Sequence, residues 1–348
     1  MHQHPVFQAP SGTSRKGSRR APAIAGAFAA TLLLSVTMGV AAQSPSTAGV
    51  TLTDDSGTAV TIPAIPKRVI SLSPANTEIV FALGTGERLV GGTDFDDFPE
   101  EAAALPDVAT FEGVLMEELV ALEPDLVLAS GMGLTPDADI ARMRDLGYPV
   151  VVVYSTSVDD VLTDIRLVGS ALGGEAPAAA EALTMGMQAD LDRIAGLAAA
   201  TGTDPRTFYE TGDVPELYGV APGSFAADMI ERASGEAITT GDPAVWSMPL
   251  ELLVEADPEV ILLGDAAYGV CPDIVAAREG WGGITAVVNG DIRPVNDIVV
   301  TRPGPRLAEG LASVARGIHP ELGDQLTDFP EEPSLCGVPS GTAPAGAP

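Results

Sequence analysis

The chain has 348 residues, enough for two domains of ordinary size, each with its own core. Its formal charge is −30, with 48 acidic against 18 basic side chains, and Arg15, Lys16, Arg19 and Arg20 all lie in a segment without acids. Such an acidic chain repels nucleic acid and anionic lipid, so both are excluded as partners.

Residues 1–42 read as an export signal: a basic segment through Arg20, an apolar run from Ala21 to Val40, and small residues around Ala41-Ala42. No cysteine stands at the end of this run, so the sequence predicts an exported protein, periplasmic or in the cell envelope, soluble and without lipid attachment. Residues 48–157 alternate short strands with helices. Arg68–Leu72 reads as a buried strand, Ser73 as a helix N-cap with Pro74 in the first turn, and Asp137–Leu146 as a helix before the strand Val150–Val153. That alternation indicates a parallel α/β lobe.

A connecting region, 158–200, follows. Val158–Leu172 is helical and stops at Gly173-Gly174. In the helix 177–200, Leu183, Met187, Leu191, Ile194 and Ala198 recur at steps of three and four, forming one apolar stripe. Residues 206–320 repeat the alternation as a second α/β lobe, ending in the helix Pro305–Ile318. Segment 116–130 (MEELVALEPDLVLAS) is echoed by 250–264 (LELLVEADPEVILLG) at a constant offset of 134 residues (251 − 117). Glu117 then corresponds to Glu251 and Pro124 to Pro258, so the long helix reads as a strut between two similar lobes. Beyond Phe329, residues 330–348 are rich in Pro, Gly, Ser and Ala and read as a disordered tail. Cys271 and Cys336 either pair, stabilising by ~4 kcal/mol through closure of the intervening loop, or remain two thiols.

Catalytic chemistry is sparse. His319 is the only histidine after residue 4 and sits at a helix end, where capping suits it better than acting as the base of a triad. Phosphate-binding glycine loops and nucleophile-elbow patterns are missing. In parallel α/β lobes ligands gather at the carboxyl ends of the strands. The loops there supply Phe95, Phe111 and Met132 from the first lobe and Tyr218, Trp246 and Arg302 from the second. Flat apolar rings suit a large, partly apolar ligand, with Arg302 available for an anionic group. The acidic run Asp94–Glu101 reads either as a solvated loop or as the site of a secreted metal-dependent, chelatase-like enzyme.

The runs RVISLSPANTEIVFALG, DFDDFPEEA, FEGVLMEELVALEPDLVLAS and LELLVEADPEVILL resemble the periplasmic binding proteins of iron–siderophore and vitamin B12 ABC importers, over roughly Val69 to Pro320. The resemblance implies two Rossmann-like lobes joined by one long α-helix, the class III architecture, and a non-enzymatic protein without a resident cofactor. It also implies that a corrinoid or ferric siderophore is held between the lobes by a monomer and delivered to an ABC permease dimer. By the same resemblance, Glu117 and Glu251 match acidic residues that dock onto permease arginines. Phe95 and Phe111, with Trp246 near register, match aromatics around the ring, with phenylalanines where larger or hydroxylated rings are usual.

Overall fold

The computed structural model describes residues 49–131, 134–212, 216–330 and 336. The expected export signal, Met132 and nearly all of the expected tail lie outside the described residues. An antiparallel hairpin, β1 (Val50–Thr53) and β2 (Ala59–Ile62), opens the described chain. Its turn is fastened to the first lobe through two acids. The Asp54 carboxylate accepts from the Val152 amide (3.0 Å) and from Arg144 (2.7 Å), and the Asp55 carboxylate accepts from the Tyr154 amide (2.8 Å).

The first lobe contains β3 (Val69–Ser71), α1 (Pro74–Ala82), β4 (Leu89–Thr93), β5 (Asp107–Thr110), β6 (Gly113–Val114), α2 (Met116–Ala121), β7 (Leu126–Ser130), α3 (Asp137–Asp145) and β8 (Val150–Val153). The strands form one sheet in the order β6-β5-β4-β3-β7-β8, parallel except for β6. Ser73 caps α1, its hydroxyl accepting from the Asn76 amide, and Pro74 occupies the first turn. The sequence TDFDDFPEEAAALPDV, residues 93–108, reads as a loop, but its end runs into β5, which joins the sheet. Val108 is fully buried there, and an isolated apolar pair between Asp107 and Thr110 gives little period-2 signal.

Helix α4 (Val158–Leu172) begins with a reciprocal cap between Ser157 and Asp160 and leads into α5 (Ala176–Ala199), the long strut. The second lobe contains β9 (Arg206–Glu210), α6 (Phe225–Arg232), β10 (Glu236–Ala237), α7 (Leu250–Ala256), β11 (Val260–Leu263), α8 (Pro272–Ala276), α9 (Thr285–Asn289), β12 (Ile292–Pro294), α10 (Asp297–Thr301) and α11 (Leu307–Ile318). Its parallel sheet runs β10-β9-β11-β12. Cys271 and Cys336 are joined, with Cα atoms 5.6 Å apart.

The duplication is written in hydrogen bonds as well as sequence. Arg68, just before β3, donates to the carbonyls of Leu122 (2.9 Å) and Glu123 at the end of α2. Arg206, at the start of β9, donates to Ala256 (3.1 Å) and Asp257 at the end of α7. Glu123 and Asp257 both take the left-handed backbone, φ 44° and 45°, that turns each helix into its strand. The next acid in each copy, Asp125 or Glu259, accepts from the Arg68 or Arg206 amide.

One apolar interior runs through both lobes. On α5, Ala180, Met187, Leu191, Ile194 and Ala198 are buried, while Leu183 is only partly so and Thr184 takes the deeper position with its hydroxyl on the Ala180 carbonyl. The same cluster reaches Ile79 and Leu128 in the first lobe and Tyr209, Leu262 and Leu311 in the second. Helix α11 packs so closely that a Cβ at Gly310 would lie 2.3 Å from the Val299 carbonyl oxygen. Smaller cores cover the outer face of each sheet, around Val127 and Met143 in one and Phe208 and Trp281 in the other.

Candidate functional site

Helices α2 and α7 have their C-termini tied to the starts of β3 and β9 by Arg68 and Arg206. Their N-termini therefore point toward the carboxyl ends of the strands. Glu117 and Glu251, in those first turns, are both exposed. Two carboxylates thus stand at equivalent points of two related lobes, each toward the carboxyl ends of its own lobe's strands.

At that end the loops leave large apolar side chains in solvent. Phe95 and Phe98 follow β4, and Phe111 stands on the turn between β5 and β6 with 83% of its surface exposed. From the second lobe, Trp246 is exposed, whereas Tyr218 is half-buried and fixed by bridges to Gly212 and Ser247. Phe98 and Tyr268 were not singled out by the sequence. Tyr268 is 71% exposed in the loop after β11, and the 134-residue offset pairs it with Leu134, 75% exposed after β7. That offset was the signal available for finding both. Met132 lies outside the described residues.

Arg302, expected to meet an anionic ligand group, is engaged within the protein. Its guanidinium lies 3.2 Å from Glu78 Oε1 and 2.5 Å from Asp97 Oδ1. Arg306 binds both Glu78 oxygens, at 2.9 and 2.5 Å, and its guanidinium lies 4.2 Å from the centroid of the Phe98 ring. Glu78 comes from α1 and its side chain is 1% exposed; the arginines come from the other lobe. Burial works against the Arg302 charge, but Asp97 and Glu78 outweigh it and hold the guanidinium above its ordinary pKa. A second clasp joins the lobes at α4 and α6. The Val158 amide donates to Asp228 (2.7 Å), and Arg232 pairs with Asp159 (3.0 Å) and Asp228 (3.1 Å). Nearby, Glu210, at the end of β9 and fully buried, receives two bonds from Arg278 (2.8 and 2.6 Å).

The acidic run Asp94–Glu101 does not form a metal site. Asp96 turns inward, accepting from Thr77 (2.8 Å) and from the Thr93 amide and hydroxyl (3.1 and 2.9 Å); burial pushes its carboxyl up. Asp97 is committed to Arg302, and Glu100 and Glu101 face solvent. Among the described residues no group of three or more His, Cys, Asp or Glu is arranged to hold a metal. The ring of His319 closes the end of α6, its Nε2 lying 3.1 Å from the carbonyls of Ala233 and Ser234.

Comparison with known proteins agrees with this architecture. The periplasmic binding protein family matches residues 69–297. An uncharacterized ABC transporter substrate-binding lipoprotein of Bacillus subtilis, YvrC, is 33% identical over 276 residues, covering 78% of this chain and 86% of the relative. A cobalamin-binding protein of Halobacterium salinarum is 30% identical over 283 residues, covering 78% and 74%. The solved periplasmic heme-binding protein BhuT, in complex with two hemes, superposes with a TM-score of 0.64 at 27% identity, covering 72% of this chain and 97% of that one. The Bacillus relative corrects one expectation. Lipid attachment was excluded from the position of the cysteines alone, and a relative of this kind is a lipoprotein, so that exclusion is withdrawn while the periplasmic or envelope location stands. Among the described residues no helix is long and apolar enough to cross a membrane. The chain belongs to the periplasmic binding protein family, with the class III arrangement of two α/β lobes on one long helix, and is a substrate-binding protein of an ABC importer rather than an enzyme.

Proposed function

We propose that the chain captures a corrinoid, or a ferric chelate of similar size, between its lobes as a monomer and hands it to a dimeric ABC permease. The observation that carries this reading is the set of exposed rings at the strand ends of both lobes, Phe95, Phe98 and Phe111 on one and Trp246 and Tyr268 on the other. Solvated rings gathered at the ligand-binding end of a parallel fold favour a broad, partly apolar partner. The cobalamin-binding relative supports the corrinoid branch of the reading. Glu117 and Glu251 serve as docking prongs: paired carboxylates on duplicated helices complement two equivalent basic patches of a symmetric partner. The two clasps and the shared core resist hinge bending, so capture involves little lobe closure.

Titration of the full chain with cyanocobalamin, followed by tryptophan fluorescence and by co-eluting colour after desalting, tests the cleft. Phe95→Ala with Trp246→Ala weakens binding by about tenfold per ring removed, the equivalent of about 1.4 kcal/mol each. Glu117→Gln with Glu251→Gln leaves solution affinity unchanged and abolishes delivery to permease in vesicles. Unaltered affinity in the aromatic double variant refutes the placement of the cleft.

A further inference from the structure

Among the described residues, four guanidiniums near the strand ends are neutralised by acids of this chain. Arg302 and Arg306 meet Glu78 and Asp97, Arg232 meets Asp159 and Asp228, and Arg278 meets Glu210. Lys67, Arg68 and Arg206 sit at the opposite ends of the sheets; the Lys67 backbone amide donates to Asp125, and the two guanidiniums bind the ends of α2 and α7. The segments outside the described residues after position 48 contain no lysine, arginine or histidine. The loops that carry the exposed rings therefore offer apolar surface and acids such as Asp94, and the four arginines named above are already engaged. Around them lies a chain with a formal charge of −30.

We infer that Glu78 and Asp97 fix the charge class of the cargo: by neutralising Arg302 and Arg306 from across the lobe boundary, they make the cleft accept an uncharged or cationic macrocycle and reject anionic chelates such as carboxylate-bearing porphyrins and ferric catecholates. This rests on the proposed capture of a macrocyclic ligand and narrows it. A propionate or catecholate entering the site has to leave water without a counter-ion, which costs more than the ring contacts return. An amide-rimmed, neutral disc meets no such penalty. Glu78 is a specificity-determining residue in this account, acting through the arginines it holds; Asp97 does the same from the solvent side, where its side chain is 56% exposed.

The test compares two discs of similar breadth, cyanocobalamin and hemin, against the full chain by absorbance and tryptophan quenching. The wild-type chain is expected to prefer cyanocobalamin by about a hundredfold or more, the size of discrimination that an unpaired buried charge produces. Asp97→Asn and Glu78→Gln each release positive charge and are expected to tighten hemin about tenfold while moving cyanocobalamin less than about threefold. Retained cyanocobalamin affinity in the same variant separates a specific gain of hemin binding from adsorption to a damaged fold. The exposed Asp97 carries the test if Glu78→Gln fails to fold. Hemin binding to the wild type as tightly as cyanocobalamin, or no gain in either variant, overturns the charge filter and leaves the capture reading standing. A wild-type chain that binds neither disc overturns the capture of a macrocycle and the charge filter with it.

Discussion

The fold pushes the Asp164 carboxyl toward its neutral form. It lies on α4, 2% exposed, accepting from Ser155 and within hydrogen-bond reach of Asp55. Burial, followed by the nearby Asp55 and Asp160 charges, outweighs the Ser155 hydrogen bond and raises its pKa from 3.8 to about 7; burial likewise raises its neighbour Asp55. In the unfolded chain the same group ionises near 3.8. Between about pH 4 and 7 the folded state binds more protons, so this group's contribution to stability falls as pH rises through that window and stays low above it. A displacement of about three pH units corresponds to about 4 kcal/mol at most. Asp164→Asn keeps an acceptor for Ser155 and a donor for Asp55 without the charge. It is therefore expected to stabilise the protein at pH 8 by about 1–4 kcal/mol, raising Tm by several degrees, and to change little at pH 4. Urea denaturation of both proteins from pH 4 to 8 reads the difference. A stability change that is the same at pH 4 and pH 8, or a destabilised variant at pH 8, refutes the assignment of a protonated Asp164.

Three further outcomes follow from packing and covalent closure. Leu191→Ala, at a position 1% exposed in the core shared by both lobes, costs about 2–5 kcal/mol. It lowers one cooperative transition; separate calorimetric transitions for the two lobes would contradict a shared interior. Gly310→Ala forces α11 away from the Val299 carbonyl and costs about 1–3 kcal/mol by urea denaturation, despite alanine's higher helix propensity. Cys271→Ser removes the cross-link closing a separation of 65 residues and lowers stability by about 4 kcal/mol under non-reducing conditions, with no difference from wild type once both are reduced.

Local pattern made much of this molecule readable. The strut was visible because Met187, Leu191, Ile194 and Ala198 fall on one helical stripe, and the two-lobe plan because an acid–apolar–proline pattern recurs after 134 residues. The Ser73-Pro74 pair marked the start of α1 for reasons confined to three residues. Arg302 was legible only as an unpartnered cation, since Glu78, 224 residues away in sequence, looked like an ordinary helical acid. Asp96 and Asp97 stand side by side, yet one is buried on Thr77 and Thr93 and the other reaches the opposite lobe; adjacency in sequence carries no trace of that division. Tyr268 was missed because a ring between glycine-rich turns reads as loop until its counterpart Leu134 is placed beside it.

The matched anchoring of α2 and α7 has a mechanical outcome. Because Arg68 and Arg206 bolt each short helix to the root of its own sheet, and both sheets share an interior with α5, Glu117 and Glu251 ride on one continuously packed body. On the docking proposed above, a receptor gripping those two points would gain little information about loading from their spacing and would have to sense the cargo at the rim between them.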